Sequence, residues 1–130
     1  MFHLINTFSE ISNKYTSIIC DLWGCLHNGV TSFPEALKAL EDFKASNGKV
    51  ILVTNAPRPI ANVKDQIASL GIKEHHYDML LTSGDITSDY INTVCENKSN
   101  IFHIGGKRHH SIYKNMVHEQ RISIEIDNIE

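Results

Sequence analysis

Along this chain the spacing of apolar residues switches between short runs, as in strands, and a three-to-four-residue repeat, as in helices. Ser17-Ile18-Ile19-Cys20-Asp21-Leu22 predicts a buried strand with Asp21 near its carboxyl end. Lys49-Val50-Ile51-Leu52-Val53-Thr54 predicts a second strand, β-branched and almost wholly apolar. Shorter strands are expected over Asp78 to Thr82, Asn100 to Ile104 and Arg121 to Ile126, the last from the alternation of Ile122, Ile124 and Ile126. Helical repeats lie between them: Ala36, Leu40 and Phe43; Ile60, Val63, Ile67 and Leu70; Ile86, Tyr90 and Val94; and a segment from His109 to Val117. Tyr90, Ile91, Tyr113 and Met116 read most simply as core. Thr7-Phe8-Ser9-Glu10 and Ser32-Phe33-Pro34-Glu35 have capping-box form, and Asn47-Gly48 and Gly71 are helix stops. Alternating strands and helices with short loops predict an α/β fold whose mostly parallel sheet is covered on both faces. Ligands of such sheets sit at strand carboxyl ends, where Asp21 and Thr54 both fall.

Composition narrows the picture. The 130 residues predict a single domain over 1–130, and 42% apolar residues are enough for a packed core. Twelve basic against 15 acidic residues leave a net charge of −3, which offers no basic footprint for a nucleic acid. The longest apolar runs fall far short of a membrane span. Cys20, Cys25 and Cys95 are odd in number and form no Cys-x-x-Cys pair, so reduced thiols and a cytoplasmic location are expected.

Asp21 at a strand tip, followed at once by a glycine-containing loop, is placed to attack an electrophilic phosphorus and form an acyl-phosphate. The amides of Leu22 and Trp23, the Thr54 hydroxyl and the Asn55 amide are candidate donors to phosphate oxygens. The same residues also suit a plain turn and a plain cap, and local pattern alone leaves both readings standing.

Longer motifs decide between them. Asp21-Leu22-Trp23-Gly24-Cys25-Leu26-His27-Asn28-Gly29, Phe33-Pro34-Glu35-Ala36, Val50 to Asn55, Thr82-Ser83-Gly84-Asp85 and Ile104-Gly105-Gly106, in this order, resemble the haloacid dehalogenase (HAD) superfamily. The resemblance is to its class IIA branch of sugar-phosphatase and nitrophenylphosphatase-like enzymes, and it covers nearly the whole chain. It implies a three-layer, Rossmann-like core, incomplete at the carboxyl end, and a phosphatase acting on small phosphorylated substrates. By the same resemblance Asp21 is the nucleophile and a Mg²⁺ ligand, the Trp23 carbonyl is a second ligand, and Thr54 binds phosphate. Oxygen donors of this kind are what Mg²⁺ prefers.

Two departures accompany the resemblance. The family's second aspartate, which protonates the leaving oxygen, is here Trp23, whose indole cannot exchange protons near neutral pH. Such acid–base help is worth about 10²–10⁴-fold. An aromatic residue at this position also occurs in dehalogenases that attack carbon, which keeps dehalogenation as a minor alternative, and His27 is a candidate substitute acid. The later lysine and acidic pair of the family are assigned to no residue here, so the chain reads as the front part of a longer enzyme. A degenerate module that binds a phospholigand or a partner without turnover is the competing reading. An incomplete sheet has a free edge, which predicts a homo-oligomer through that edge.

Other motifs carry less. Gly24 to Gly29 has P-loop glycine spacing, but Val30-Thr31 follows where a Lys-Ser/Thr pair is required. Gly105-Gly106-Lys107-Arg108-His109-His110 is read as a solvated basic turn. His75-His76 and His109-His110 are adjacent pairs, neighbours in sequence rarely share a face, and no zinc site is expected from them.

Overall fold

The computed structural model describes residues 4–96, 99–114 and 121–125; Ile126 and residues 115–117, parts of two expected elements, lie outside them. The chain divides into two compact units, one of residues up to Thr54 together with Lys64–Leu81, the other of Asn55–Val63 and the described residues from Thr82 onward.

The first unit opens with the short helix α1 (Ser9–Ser12), followed by β1 (Ser17–Asp21), α2 (Pro34–Ala45) and β2 (Lys49–Thr54). It also holds the second half of α3 (Ile60–Ser69), a 3₁₀ turn at Glu74–His76 and β3 (Met79–Thr82), whose last residue begins the other unit. The strands form a parallel sheet in the order β1-β2-β3, with Ser17 level with Lys49 and Asp21 level with Val53. Val50 and Leu52 are fully buried (0% exposed), on the face that α2 covers with Leu40 and Phe43. Burial of each such side chain contributes about 1.5–3 kcal/mol.

The opposite face is not covered in the way the strand–helix alternation predicts. Ile19 is 72% exposed and Met79 51%. Right-handed crossovers that step in one direction along a sheet put their helices on one side, so among the described residues of this unit the helices gather on one face.

Helix α2 starts with Pro34 at its first turn, Glu35 beside the amino end and Lys44 in the last turn, all favourable placements. Ser32 does not cap it; that residue is held in a bridge with His27, and Phe33 takes the cap position without a side-chain bond. At the other end Asn47 adopts the left-handed φ of 65°, and the Gly48 amide donates to the Phe43 carbonyl. A Cβ on Gly48 would stand 2.4 Å from the Phe43 ring.

Asp78 ties this unit together. Its Oδ2 accepts the Val50 amide (2.8 Å), and Oδ1 lies 2.9 Å from the Lys44 ammonium and 3.5 Å from that of Lys49. The amide first, and then Lys44, hold the carboxyl down at about 2, against an ordinary 3.8. A depressed carboxylate stabilises the fold above its unfolded pKa and loses that contribution as pH falls through the folded one. Between pH 3.8 and about 2, therefore, the urea midpoint of the wild type should fall more steeply than that of Asp78→Asn. Equal slopes would remove Asp78 from the acid response.

In the second unit the first part of α3 precedes α4 (Ser83–Val94), β4 (Asn100–Ile104), a 3₁₀ helix at Lys107–Tyr113 and β5 (Arg121–Glu125). Strands β4 and β5 pair in parallel, Asn100 level with Arg121. Thr82 caps α4: its hydroxyl accepts the Asp85 amide (3.1 Å) and donates to Asp85 Oδ2 (2.8 Å), and the same oxygen accepts the Ile60 amide. The Ser83 hydroxyl donates to the carbonyls of Asn55 (2.9 Å) and Ala56 (3.0 Å). A Cβ on Gly84 would meet the Arg58 backbone at 2.4 Å, so only glycine allows this approach.

The apolar repeat of α4 is turned the other way from its expected role. Ile86, Tyr90 and Val94 are 59%, 66% and 53% exposed, while Gly84 and Ser88 are the buried positions. Close backbone approach selects small residues for the packed face, and this reverses the hydrophobic assignment. Tyr113 is half-buried, its hydroxyl 2.7 Å from His103 Nδ1.

Candidate functional site

Strand β1 delivers Asp21 to the end of the sheet, and the loop that follows is knotted around one carbonyl. The Leu22 oxygen accepts the amides of Cys25 (3.3 Å), Leu26 (2.9 Å) and His27 (3.3 Å), while the Gly24 amide, at φ 81°, donates to the His27 carbonyl (2.8 Å). Asn28 Oδ1 receives the amides of Val30 and Thr31, a local turn that carries the chain back toward α2. Leu22, Leu26 and His27 are buried beneath the loop. Asp21 itself is exposed, and its Oδ1 accepts the Leu22 amide at 2.8 Å. That bond occupies one of the amides expected to face a phosphate, and it fixes the orientation of the carboxylate.

Trp23, which stands where an acid–base aspartate is expected, is 62% exposed. Its indole covers Gly29, where a Cβ would come within 2.4 Å of the ring, and it meets the His27 ring edge-on at 5.6 Å. His27 Nδ1 accepts the Gly29 amide (3.0 Å), which leaves the proton of a neutral ring on Nε2. Burial pushes the His27 pKa down, against a smaller opposing pull from Asp21. A neutral, buried imidazole donates a hydrogen bond but is a poor source of a proton, so the geometry does not favour His27 as a substitute acid. Burial raises the Cys20 thiol to about 11 and Cys20 Sγ lies 3.2 Å from the Asp21 carbonyl; this is an inert thiol, and all three cysteines are free.

Thr54 ends β2 one residue beyond the level of Asp21 and on the alternate pleat. Only a group lying past the strand tips can touch both side chains. Asn55, exposed, is the next residue and the first of the second unit. Among the expected site residues, Asp21, Leu22 and Trp23 thus share one loop in the first unit, and Thr54 closes the neighbouring strand. For Mg²⁺ the donors at this end, a carboxylate and backbone carbonyls, are hard oxygens. An ion that keeps several waters needs few protein ligands, so the donor set fits.

The second unit holds a separate cavity of about 680 Å³ lined by Arg58, Asn62, His109, His110, Ser111 and Lys114 among others. No helix among the described residues is long and apolar enough to cross a membrane. His75 and His76, expected to diverge, both turn toward Glu41 of α2.

A family model described as haloacid dehalogenase-like hydrolase matches residues 18–117. Among solved structures, a haloacid dehalogenase-like hydrolase from Brucella suis 1330 is 40% identical, with a TM-score of 0.79, over 89% of this chain and 42% of its own. NagD from the E. coli K-12 strain shares 24% identity and a TM-score of 0.56 over 77% of this chain and 40% of its own. A glycerol phosphate phosphatase from Mycobacterium tuberculosis, solved in complex with calcium, shares 17% and 0.59 over 87% and 31%. The last two likenesses concern the fold. The chain spans about two fifths of the length of the first two structures. No curated protein matches it.

Proposed function

The chain belongs to the haloacid dehalogenase-like hydrolases, and on that premise we propose that it carries the nucleophile-bearing part of a class IIA phosphatase acting on small phosphate monoesters. One observation above all supports this reading: an exposed carboxylate, Asp21, at the carboxyl end of β1, level with the last residues of β2. An Asp21 oxygen attacks phosphorus, the ester P–O bond breaks, and the alcohol leaves. Water then attacks the aspartyl-phosphate at phosphorus, breaking its P–O bond to release phosphate and restore the carboxylate. Thr54 and the Trp23 amide steady the phosphate oxygens, while the Leu22 amide is taken up by Asp21. Asp21 and the Trp23 carbonyl would hold Mg²⁺, which would supply charge neutralisation. The Leu22 amide, bonded to Oδ1, steers which carboxylate oxygen is presented.

With Trp23 in the acid position, the leaving oxygen departs as its anion and takes its proton from water, which favours aryl or acyl phosphates over alkyl ones. Trp23 also supports a second reading, a phospholigand-binding module without turnover. An unpaired edge of the incomplete sheet is where a second copy would pair.

Labelled p-nitrophenyl phosphate and Mg²⁺, mixed with the full chain and acid-quenched, should leave a hydroxylamine-sensitive phosphoryl group that peptide mapping puts on Asp21. Turnover with no such adduct would overturn the mechanism. Inorganic phosphate bound without any turnover would favour the binding module.

A further inference from the structure

We propose that Glu41, His75 and His76 form a binding site for a zinc-class divalent ion, separate from the residues at the end of β1. Glu41 comes from α2, and the two histidines from the 3₁₀ turn Glu74–His76, all within the first unit. His75 Nε2 lies 3.4 Å and His76 Nε2 3.2 Å from Glu41 Oε1, and the three ligand atoms lie within 4.8 Å of one another. A tetrahedral ion with bonds of about 2.0–2.1 Å holds its ligands about 3.3–3.4 Å apart. The two distances to Glu41 already have that spacing.

Adjacent residues on a regular helix or strand point apart, but the tight 3₁₀ turn lets both imidazoles present Nε2 to one place, their rings 4.1 Å apart and 34° from parallel.

The outer contacts suit a ligand as well. His76 is buried, and its Nδ1 lies 2.8 Å from the Lys73 amide and 3.1 Å from the Lys73 carbonyl. With the proton on Nε2, Nδ1 accepts the amide; with the proton on Nδ1, the carbonyl accepts it and the Nε2 lone pair is free for a metal. As it stands Nδ1 accepts the Lys73 amide; an ion at Nε2 moves the proton to Nδ1, where the Lys73 carbonyl accepts it as a usual second support and the amide gives up its acceptor, a cost that the metal bonds must offset. The nearby cations are engaged elsewhere, Lys73 Nζ with the Ala68 carbonyl (3.2 Å) and Lys64 with Glu74 (3.2 Å). Two imidazoles and one carboxylate select a borderline ion such as Zn²⁺ or Co²⁺ over Mg²⁺. His75 and Glu41 are partly exposed, which leaves a fourth position for water. The ion would clip α2 to the turn that leads into β3.

Isothermal titration of the full chain with ZnCl₂, and visible spectroscopy with CoCl₂, test this. The wild type should bind one ion at this site and give tetrahedral Co²⁺ bands. Glu41→Gln and His75→Ala, both at partly exposed positions, should each weaken that binding at least about tenfold, with Co²⁺ bands lost in the double variant and the unliganded melting temperature little changed. Wild-type affinity and spectrum in the double variant, or no zinc binding by the wild type, would overturn the proposal. Neither outcome depends on whether Asp21 carries a phosphoryl group.

Discussion

Asp21→Asn should lower Mg²⁺-dependent turnover of p-nitrophenyl phosphate by at least about 10³-fold, equivalent to about 4 kcal/mol of barrier. The substitution is nearly isosteric, and the amide oxygen still accepts the Leu22 N–H that the carboxylate accepts at 2.8 Å. The loop knotted around the Leu22 carbonyl is not disturbed, so the melting temperature should barely move. On the proposed mechanism, what disappears is the negative oxygen that would form the bond to phosphorus, together with the charge that would draw in a divalent ion. A nucleophile and its environment act as a unit, so the effect should fall on kcat rather than KM. Steady-state kinetics of the two proteins, with a thermal melt as a folding control, measures it. Activity that survives the change would mean that Asp21 is not the nucleophile.

Trp23→Asp should move rates in the opposite direction. A carboxylic acid at this position can protonate the departing oxygen and then activate water, help worth about 10²–10⁴-fold. The gain should be greatest for alkyl phosphates, whose leaving groups most need a proton, and small for p-nitrophenyl phosphate, whose leaving group needs none. Trp23 is 62% exposed, so little core is lost. Its contacts over Gly29 and against His27 do disappear, and loosening of this loop is the expected structural cost. Comparing kcat/KM for the two substrates in wild type and variant separates the effects. An equal change for both substrates would assign Trp23 a purely structural role.

Much of the fold is legible from local pattern. The runs at Ser17–Asp21 and Lys49–Thr54 become the paired strands, Gly71 follows α3 at φ 90°, and the break at Gly105 ends β4. Those features follow from backbone geometry within a few residues, and the sequence displays them directly. The α4 stripe shows where such reading stops. Ile86, Tyr90 and Val94 do lie on one side of a helix, but periodicity identifies a face without saying what lies opposite it. The close approach of Gly84 to Arg58 decides which side packs.

The order of strands and helices, the family motifs and the placing of Asp21 and Thr54 at strand ends can all be read along the chain, because each depends on residues near one another in it. That Ser32 pairs with His27 instead of capping α2, that His27 is buried, and that Glu41 meets His75 and His76 emerges only once the chain is folded. These outcomes depend on which distant segments pack together. Packing is a sum over many weak contacts and leaves no signature at any one position.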